Sequence, residues 1–405
     1  ESTVDDTLSL DNGADLSGGT IANVEALTLT SGASVRLSAA QNQGFTGVIT
    51  APGMGVSGET ITITGDGAVA TLANIENYII EDDTTDARTV TINSAAMHVT
   101  ANSVTDAVTF YLGALTFTGT ITGEATVDDA LNLLSLCVGA DASGGSIAHI
   151  EALTLSSGAS VRLTAAQNQG FTGAVIAPGS GIGGETIIVA GNGAVTTLAN
   201  VENYSIEDDS TNARAVTILE ADTNITANSA TDAVTFTVGA LTYTGAITGN
   251  GFIDDTLSLD TGADVSGGAI ANVEALALAA GASVRLSAAQ NQGFTGAITA
   301  PGTGVNGETI TITGDGTVTT LAHVENYIIE DDSTDVRTVM ISSADTHVIA
   351  NSASDAVTFY LGALIFNGAI IGEATVDDAL NLLSLGTGAD VSGGTIEHVE
   401  ALALA

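Results

Sequence analysis

Apolar and small polar residues alternate along most of this chain. Thr7-Leu8-Ser9-Leu10, Thr60-Ile61-Thr62-Ile63, Val90-Thr91-Ile92, Val108-Thr109-Phe110 and Leu115-Thr116-Phe117 all keep a period of two, the pattern of a strand with one buried face. Gly-Ala, Gly-Asp-Gly and Ser-Gly-Gly separate these runs as turns. No stretch carries the 3.6-residue period of a long amphipathic helix. Ser38-Ala39-Ala40-Gln41-Asn42-Gln43 has room for a single helical turn.

A longer periodicity lies over the strands. The phrase Ile21-Ala22-Asn23-Val24-Glu25 returns, with Leu or Ile first, Asn or His third and Val or Ile fourth, and with Glu397 for the Ala in the last copy, so that its glutamate recurs at Glu76, Glu151, Glu202, Glu274, Glu325 and Glu400. The successive gaps are close to two or three multiples of ~25 residues, a rung of a parallel β-helix. A larger unit starts at Val4-Asp5-Asp6, Val127-Asp128-Asp129, Ile253-Asp254-Asp255 and Val376-Asp377-Asp378. It divides the chain into copies 4–126, 127–252, 253–375 and a partial 376–405. Copies two and four carry three extra residues, read as falling before the next Gly-Ala-Asp, with Cys137 and Thr387 among them.

The expectation is an all-β protein: a parallel β-solenoid (β-helix) of ~25 residues per coil and ~16 coils, one continuous body over 1–405. Parallel crossovers follow strand twist, so right-handed winding is expected. A string of β-sandwiches, one per larger unit, would give no reason for a phrase nested inside that unit.

Composition fits this reading. Apolar residues make up 44% but aromatics only 4%, with no tryptophan, which suits a narrow aliphatic interior better than a large globular core. There are 47 acidic residues against six basic ones, all six arginine, for a formal charge of −41. That balance excludes nucleic-acid binding and docking on anionic lipid, both of which need a positive surface. The lone Cys137 permits no intramolecular disulfide, and no run of 18 apolar residues calls for membrane insertion. The chain opens on Glu1 and stops at Ala405, just after the seventh phrase. It therefore reads as cut from a longer repetitive chain, and unpaired coil ends would favour self-association end to end or in a fibre.

Seven equivalent copies make the phrase glutamate a recurring corner rather than a catalytic acid. His149, His323 and His398 stand where other copies have Asn, so that position asks for a turn-compatible polar group; His98 and His347 share another position, filled by Asn224 in copy two. Arg88 follows Arg36 at the same interval at which Arg214 follows Arg162 and Arg337 follows Arg285; all six read as one place, two coils apart. No zinc spacing, nucleophile elbow or phosphate loop is present, and without lysine there is no isopeptide cross-link. No enzyme is expected.

One acidic pattern points to chemistry. Asp129 follows Asp106 at the same spacing at which Asp255 follows Asp232 and Asp378 follows Asp355, and that spacing is close to one coil. One coil of separation would stack their carboxylates ~4.8 Å apart, and a hard cation such as calcium would relieve the repulsion. The triads Glu81-Asp82-Asp83, Glu207-Asp208-Asp209 and Glu330-Asp331-Asp332 are weaker candidates, with Arg88, Arg214 and Arg337 five residues on to neutralise them.

Gly18-Gly19-Thr20-Ile21-Ala22-Asn23-Val24-Glu25-Ala26-Leu27-Thr28-Leu29 and Gly32-Ala33-Ser34-Val35-Arg36-Leu37-Ser38-Ala39-Ala40-Gln41 resemble repeats of very large bacterial surface proteins. These are the haemolysin-type secreted adhesins and some S-layer proteins. The resemblance implies export, a cell-surface location and often calcium. The strict glycine-aspartate nonapeptide of the haemolysin class is absent, Gly13-Ala14-Asp15-Leu16-Ser17-Gly18-Gly19 being an echo of it, so its calcium ligands do not carry over. The expected role is a secreted structural rod, filament, S-layer element or adhesin stalk, with surface polysaccharide as a partner; a carbohydrate-active or carbohydrate-binding β-helix is the alternative.

Overall fold

The computed structural model describes residues 5–53, 55–81, 88–102, 107–124, 132–179, 181–207, 213–228, 231–330, 337–351, 356–373 and 381–404. The chain is an all-β parallel β-solenoid. It divides into two compact units, Glu1–Asn192 with Leu198–Ser205, and Gly193–Thr197 with Ile206–Ala405, built on the same plan.

In the first unit one six-stranded sheet runs in the order Val69–Ala70, Arg88–Ile92, Val108–Leu112, Leu133–Leu136, Ala152–Leu155 and Val175–Ile176. The other runs Ser34–Ser38, Thr60–Thr64, Asn77–Glu81, His98–Asn102, Thr120–Thr122 and Ser146–Ala148. Successive strands alternate between the two sheets, and neighbours within a sheet pair in parallel. The second unit repeats this with, for example, Arg214–Ile218, Val234–Val238, Thr256–Leu259 and Ala275–Leu278 in one sheet.

Period-two alternation becomes like-on-like stacking. Register sets Val90, Phe110 and Leu134 on successive rungs, each fully buried. Ile61, Tyr78, Val99 and Ile121 form the matching column in the other sheet. Each coil covers the apolar face of the last, so burial stabilises the stack through nearest-neighbour contacts.

Coil length departs from the expectation. It varies along the stack, from the short turn that pairs Thr60 with Asn77 to the long one that pairs Thr120 with Ser146. The average is ~21 residues per turn over about 17 turns, shorter than the expected rung. The phrase misled because it changes sheet. Glu25 precedes the strand Ala26–Leu29, in a three-stranded sheet with Thr7–Leu10 and Ile49–Thr50, whereas Glu76 precedes Asn77–Glu81, in the sheet that starts at Ser34–Ser38, five strands later. The interval from Glu25 to Glu76 is thus two and a half turns, and that from Glu76 to Glu151 is three and a half.

The three-residue insertion also lies elsewhere than expected. Thr109 pairs with Leu133, so Asn132 takes the place held by Asp6 and Asp255, and the extra residues precede the strand. Cys137 follows that strand, where copy four has Gly386 rather than Thr387.

The single helical turn is real, and occurs three times: Ala39–Gly44, Ala165–Gly170 and Ala288–Gly293. Each begins with a capping box, in which Ser38 or its equivalent accepts from the Gln41 amide and the Gln41 side chain accepts from the Ser38 amide. Asn42, fully buried, donates to the Ala70 carbonyl and accepts from the Tyr78 hydroxyl, which itself accepts from the Leu72 amide.

Candidate functional site: the carboxyl corners

The phrase builds one corner, used seven times. Asn23, Asn74, His149, Asn200, Asn272, His323 and His398 all have φ between 52° and 66°. Left-handed backbone disfavours most side chains but is adopted by Asn and, less often, His. This is the physical content of the Asn/His exchange: a backbone requirement, with no base or ligand role. Asn74 and Asn200 also donate to the carbonyls of Ile49 and Val175 on the preceding coil.

The left-handed turn aims the phrase glutamate at the preceding coil. Oε2 of Glu25, Glu76, Glu202, Glu274 and Glu400 accepts from the amides of Asp6, Glu59, Glu185, Asp255 and Asn381, at 3.3, 3.3, 3.2, 3.3 and 2.9 Å. The residue so placed is always a carboxylic acid or its amide: Asp6, Glu59, Asn132, Glu185, Asp255, Glu308 or Asn381. Stacked carboxyls on adjacent coils therefore exist at these corners.

Three corners set glutamate on glutamate: Glu59 with Glu76, Glu185 with Glu202, and Glu308 with Glu325. Glu59, Glu185 and Glu308 have no exposed surface. The Glu308 carboxyl accepts from the amides of Gly281 at 3.0 Å and Gly302 at 2.7 and 2.9 Å. Glu59 is held alike by Gly32 and Gly53, and Glu185 by Gly158 and Gly179. A Cβ on Gly302 would lie 2.6 Å from Glu308 Oε2, so glycine is what lets the loop close over the acid. Burial pushes the Glu308 carboxyl up, but its backbone donors outweigh burial and hold it below the usual range. Burial and the hydrogen bond to Glu308 push Glu325 up, and Glu76 and Glu202 shift the same way. Sequence reading passed over these acids. The signal was Gly58-Glu59-Thr60, recurring as Gly184-Glu185-Thr186 and Gly307-Glu308-Thr309, always at one fixed spacing before a phrase glutamate.

Of the aspartate ladder, Asp106, Asp129, Asp355 and Asp378 lie outside the described residues. Asp232 and Asp255 are both buried but not in register, since Thr235 pairs with Thr256 and so places Val234 beside Asp255. Both carboxyl oxygens of Asp255 accept backbone amides, Oδ1 from Val234 at 2.7 Å and Oδ2 from Asn250 at 2.6 Å. Burial raises its pKa, against those donors. Asn132 and Asn381 fill the same place uncharged, Asn381 Oδ1 accepting from Val357 at 3.3 Å. A carboxylate saturated by amides, at a place where copies two and four have an amide, does not fit a calcium ligand. Among the described residues no three His, Cys, Asp or Glu side chains gather in a metal-holding group.

The arginines form two sets, not one, because the interval between them, like that from Glu25 to Glu76, changes the sheet. Arg36 and Arg285 lie on outer faces and make bidentate pairs with Glu81, at 2.5 and 2.7 Å, and Glu330, at 2.6 and 2.8 Å, with Asp15 and Asp264 alongside. Arg162 bonds Ser143 at 2.7 Å. Arg88, Arg214 and Arg337 are 1–2% exposed and point into the interior, so the triad glutamates Glu81 and Glu330 are answered by arginines two rungs back instead. Asp232 lies two residues before Val234, the register partner of Arg214. Cys137 sits in a turn, with the Tyr111 hydroxyl in contact with its sulfur.

Two grooves recur at equivalent places. One, of about 390 Å³, lies between the first phrase and the first helix, with Asn23, Glu25, Ser38 and Gln41 on its wall. The other, about 230 Å³, holds Asn272, Glu274 and Gln290. No helix is long and apolar enough to cross a membrane among the described residues. No family model, no curated protein and no solved structure matches the chain.

Proposed function

We propose that the chain is a structural β-solenoid, right-handed, secreted, and used as a rod, filament, surface-layer element or adhesin stalk at a bacterial cell surface. One observation carries this reading. The carboxyl corners recur at repeat-equivalent places, and their acids are spent on backbone amides or arginines of neighbouring coils. A catalytic site needs carboxylates placed uniquely and facing a substrate; a scaffold needs the same corner repeated. We read Asp232 as the counter-charge of buried Arg214, since a buried cation is tolerated only when paired. Secretion and surface location rest on the repeat resemblance and the acidic, aliphatic composition. Electron microscopy and sedimentation of the purified chain test the proposal, with reducing-sugar release from surface polysaccharides as the enzymatic control. End-to-end or fibrous assembly without sugar release is expected. A stable monomer at high concentration that releases sugar would overturn it.

The recurring grooves favour one second reading, carbohydrate binding. Asn23 and Asn272 stand on the groove walls, and among the described residues their side chains have no hydrogen-bond partner, unlike the equivalent Asn74 and Asn200. Binding on a glycan array that Asn23→Ala with Asn272→Ala abolishes would establish it; binding indifferent to both would remove it.

A further inference from the structure

We propose that the three glutamate pairs, Glu59–Glu76, Glu185–Glu202 and Glu308–Glu325, each share one proton, and that they make the solenoid a proton-gated stack whose coils are clasped most firmly in mild acid. The inference does not depend on the role proposed above.

The geometry comes first. Thr60 pairs with Asn77 and Thr309 with Asn326, so each pair occupies matching places on adjacent rungs. Oε2 of Glu76 and of Glu202 accepts from the amide of Glu59 and of Glu185, at 3.3 and 3.2 Å, so both carboxyls of a pair stand in one corner, the earlier one without exposed surface. Two ionised carboxylates enclosed in one corner repel, and a single proton between them removes that cost. The acid on the earlier rung is enclosed and accepts two backbone amides, and at Glu308 these donors hold the carboxyl below the usual range. The proton then resides on the phrase glutamate, at Glu76, Glu202 and Glu325. At two of the other four corners an amide stands by sequence, Asn132 before Glu151 and Asn381 before Glu400, while Asp6 and Asp255 keep an acid before Glu25 and Glu274.

The described surroundings offer little competing charge. From the preceding coil, Gly32 and Gly53 present amides only, as do Gly158 with Gly179 and Gly281 with Gly302. From the following coil come His98, which donates its backbone amide to the Glu76 carbonyl and turns Nδ1 to the Thr120 hydroxyl, and His347, whose amide goes to the Glu325 carbonyl; Asn224 stands there in copy two. Within the phrase His323 is two residues from Glu325, where the other pairs have Asn74 and Asn200. Arg36 and Arg285 are taken by Glu81 and Glu330, at the far ends of the strands.

The sign follows for each partner. Glu76, Glu202 and Glu325 are raised on folding, so their contribution is full below the unfolded value and is lost as pH rises through the folded one. Glu308 is lowered, so its contribution is present above the unfolded value and is lost as pH falls through the folded one. The stack is firmest between these limits, with one proton per pair.

The test compares the 405-residue chain with Glu76→Gln/Glu202→Gln/Glu325→Gln, each replacement being a permanent stand-in for the protonated acid. Melting temperature is followed from about pH 5 to about pH 8, with infrared spectra at the same points. The parent is expected to show a protonated-carboxyl stretch persisting above the usual glutamate range and to lose melting temperature as pH rises. The triple variant should lose most of that band, the raised Asp255 carboxyl keeping a part of it, and be flatter in pH. Parallel melting curves, or a parent without the band near neutral pH, would overturn the proposal. If the triple variant does not fold, the single variants Glu76→Gln, Glu202→Gln and Glu325→Gln decide: each should remove a share of the band, and a band unchanged in all three would assign it to Asp255 and overturn the proposal.

Discussion

At the scale of one residue, the left-handed position of the phrase makes a graded prediction. Asn272 holds φ at 54° with a side chain that bonds no described residue, whereas Asn74 holds 62° and donates to Ile49. Asn272→Gly should therefore be neutral or slightly stabilising, because glycine enters this region freely. Asn74→Gly should cost about 1 kcal/mol for the lost hydrogen bond. Asn272→Val should cost about 1–3 kcal/mol, since a β-branched residue is strained there. Denaturant midpoints of the three variants check this; a valine as stable as the glycine would refute the backbone account. The sequence showed that Asn and His interchange but not why, because φ belongs to the folded corner. The buried glutamates were invisible for a related reason. Gly-Glu-Thr reads as an exposed turn until the next coil closes over it.

At the scale of the element, the short helices are held by a buried polar triad rather than by length. Six residues are far too few for a helix to be stable alone. What fixes them is the capping box and the chain of Asn291, Tyr327 and the Leu321 amide, at 3.4 and 2.8 Å. Tyr327→Phe keeps the ring and removes the acceptor, so it should cost about 1–2 kcal/mol and expose the Leu321 amide to hydrogen exchange. Unchanged protection at that amide would show that the helix is held by packing alone. The strands were legible: alternation in Val108-Thr109-Phe110 placed Val108 and Phe110 inside, and both are fully buried. Rung length was not. A phrase able to cap strands of either sheet returns after half-integral turns, and spacing alone cannot tell two and a half turns of ~21 from two of ~25.

At the scale of the whole molecule, the charge of −41 dominates. Self-repulsion opposes the folded state at low ionic strength and is screened by salt. Melting temperature should rise with sodium chloride and level off once the screening length falls to a few ångströms. Calcium and magnesium at matched ionic strength should add equal increments, because Asp255 is engaged with backbone and buried Asp232 lies two residues before Val234, the register partner of buried Arg214. An excess for calcium over magnesium would return the Asp106, Asp129, Asp355 and Asp378 ladder to consideration as a metal site.

The phrase that changes sheet has a consequence for anything that recognises it. Glu25 and Glu151 open strands of one flank, Glu76 and Glu202 strands of the other, all within the first unit. An antibody raised against Ala-Asn-Val-Glu, common to 22–25 and 199–202, would find its epitope on both flanks. The first unit would present the same tetrapeptide to two opposed binders at once, so a bivalent reagent would knit these molecules into a lattice where a single-flank repeat would only line it up along one edge.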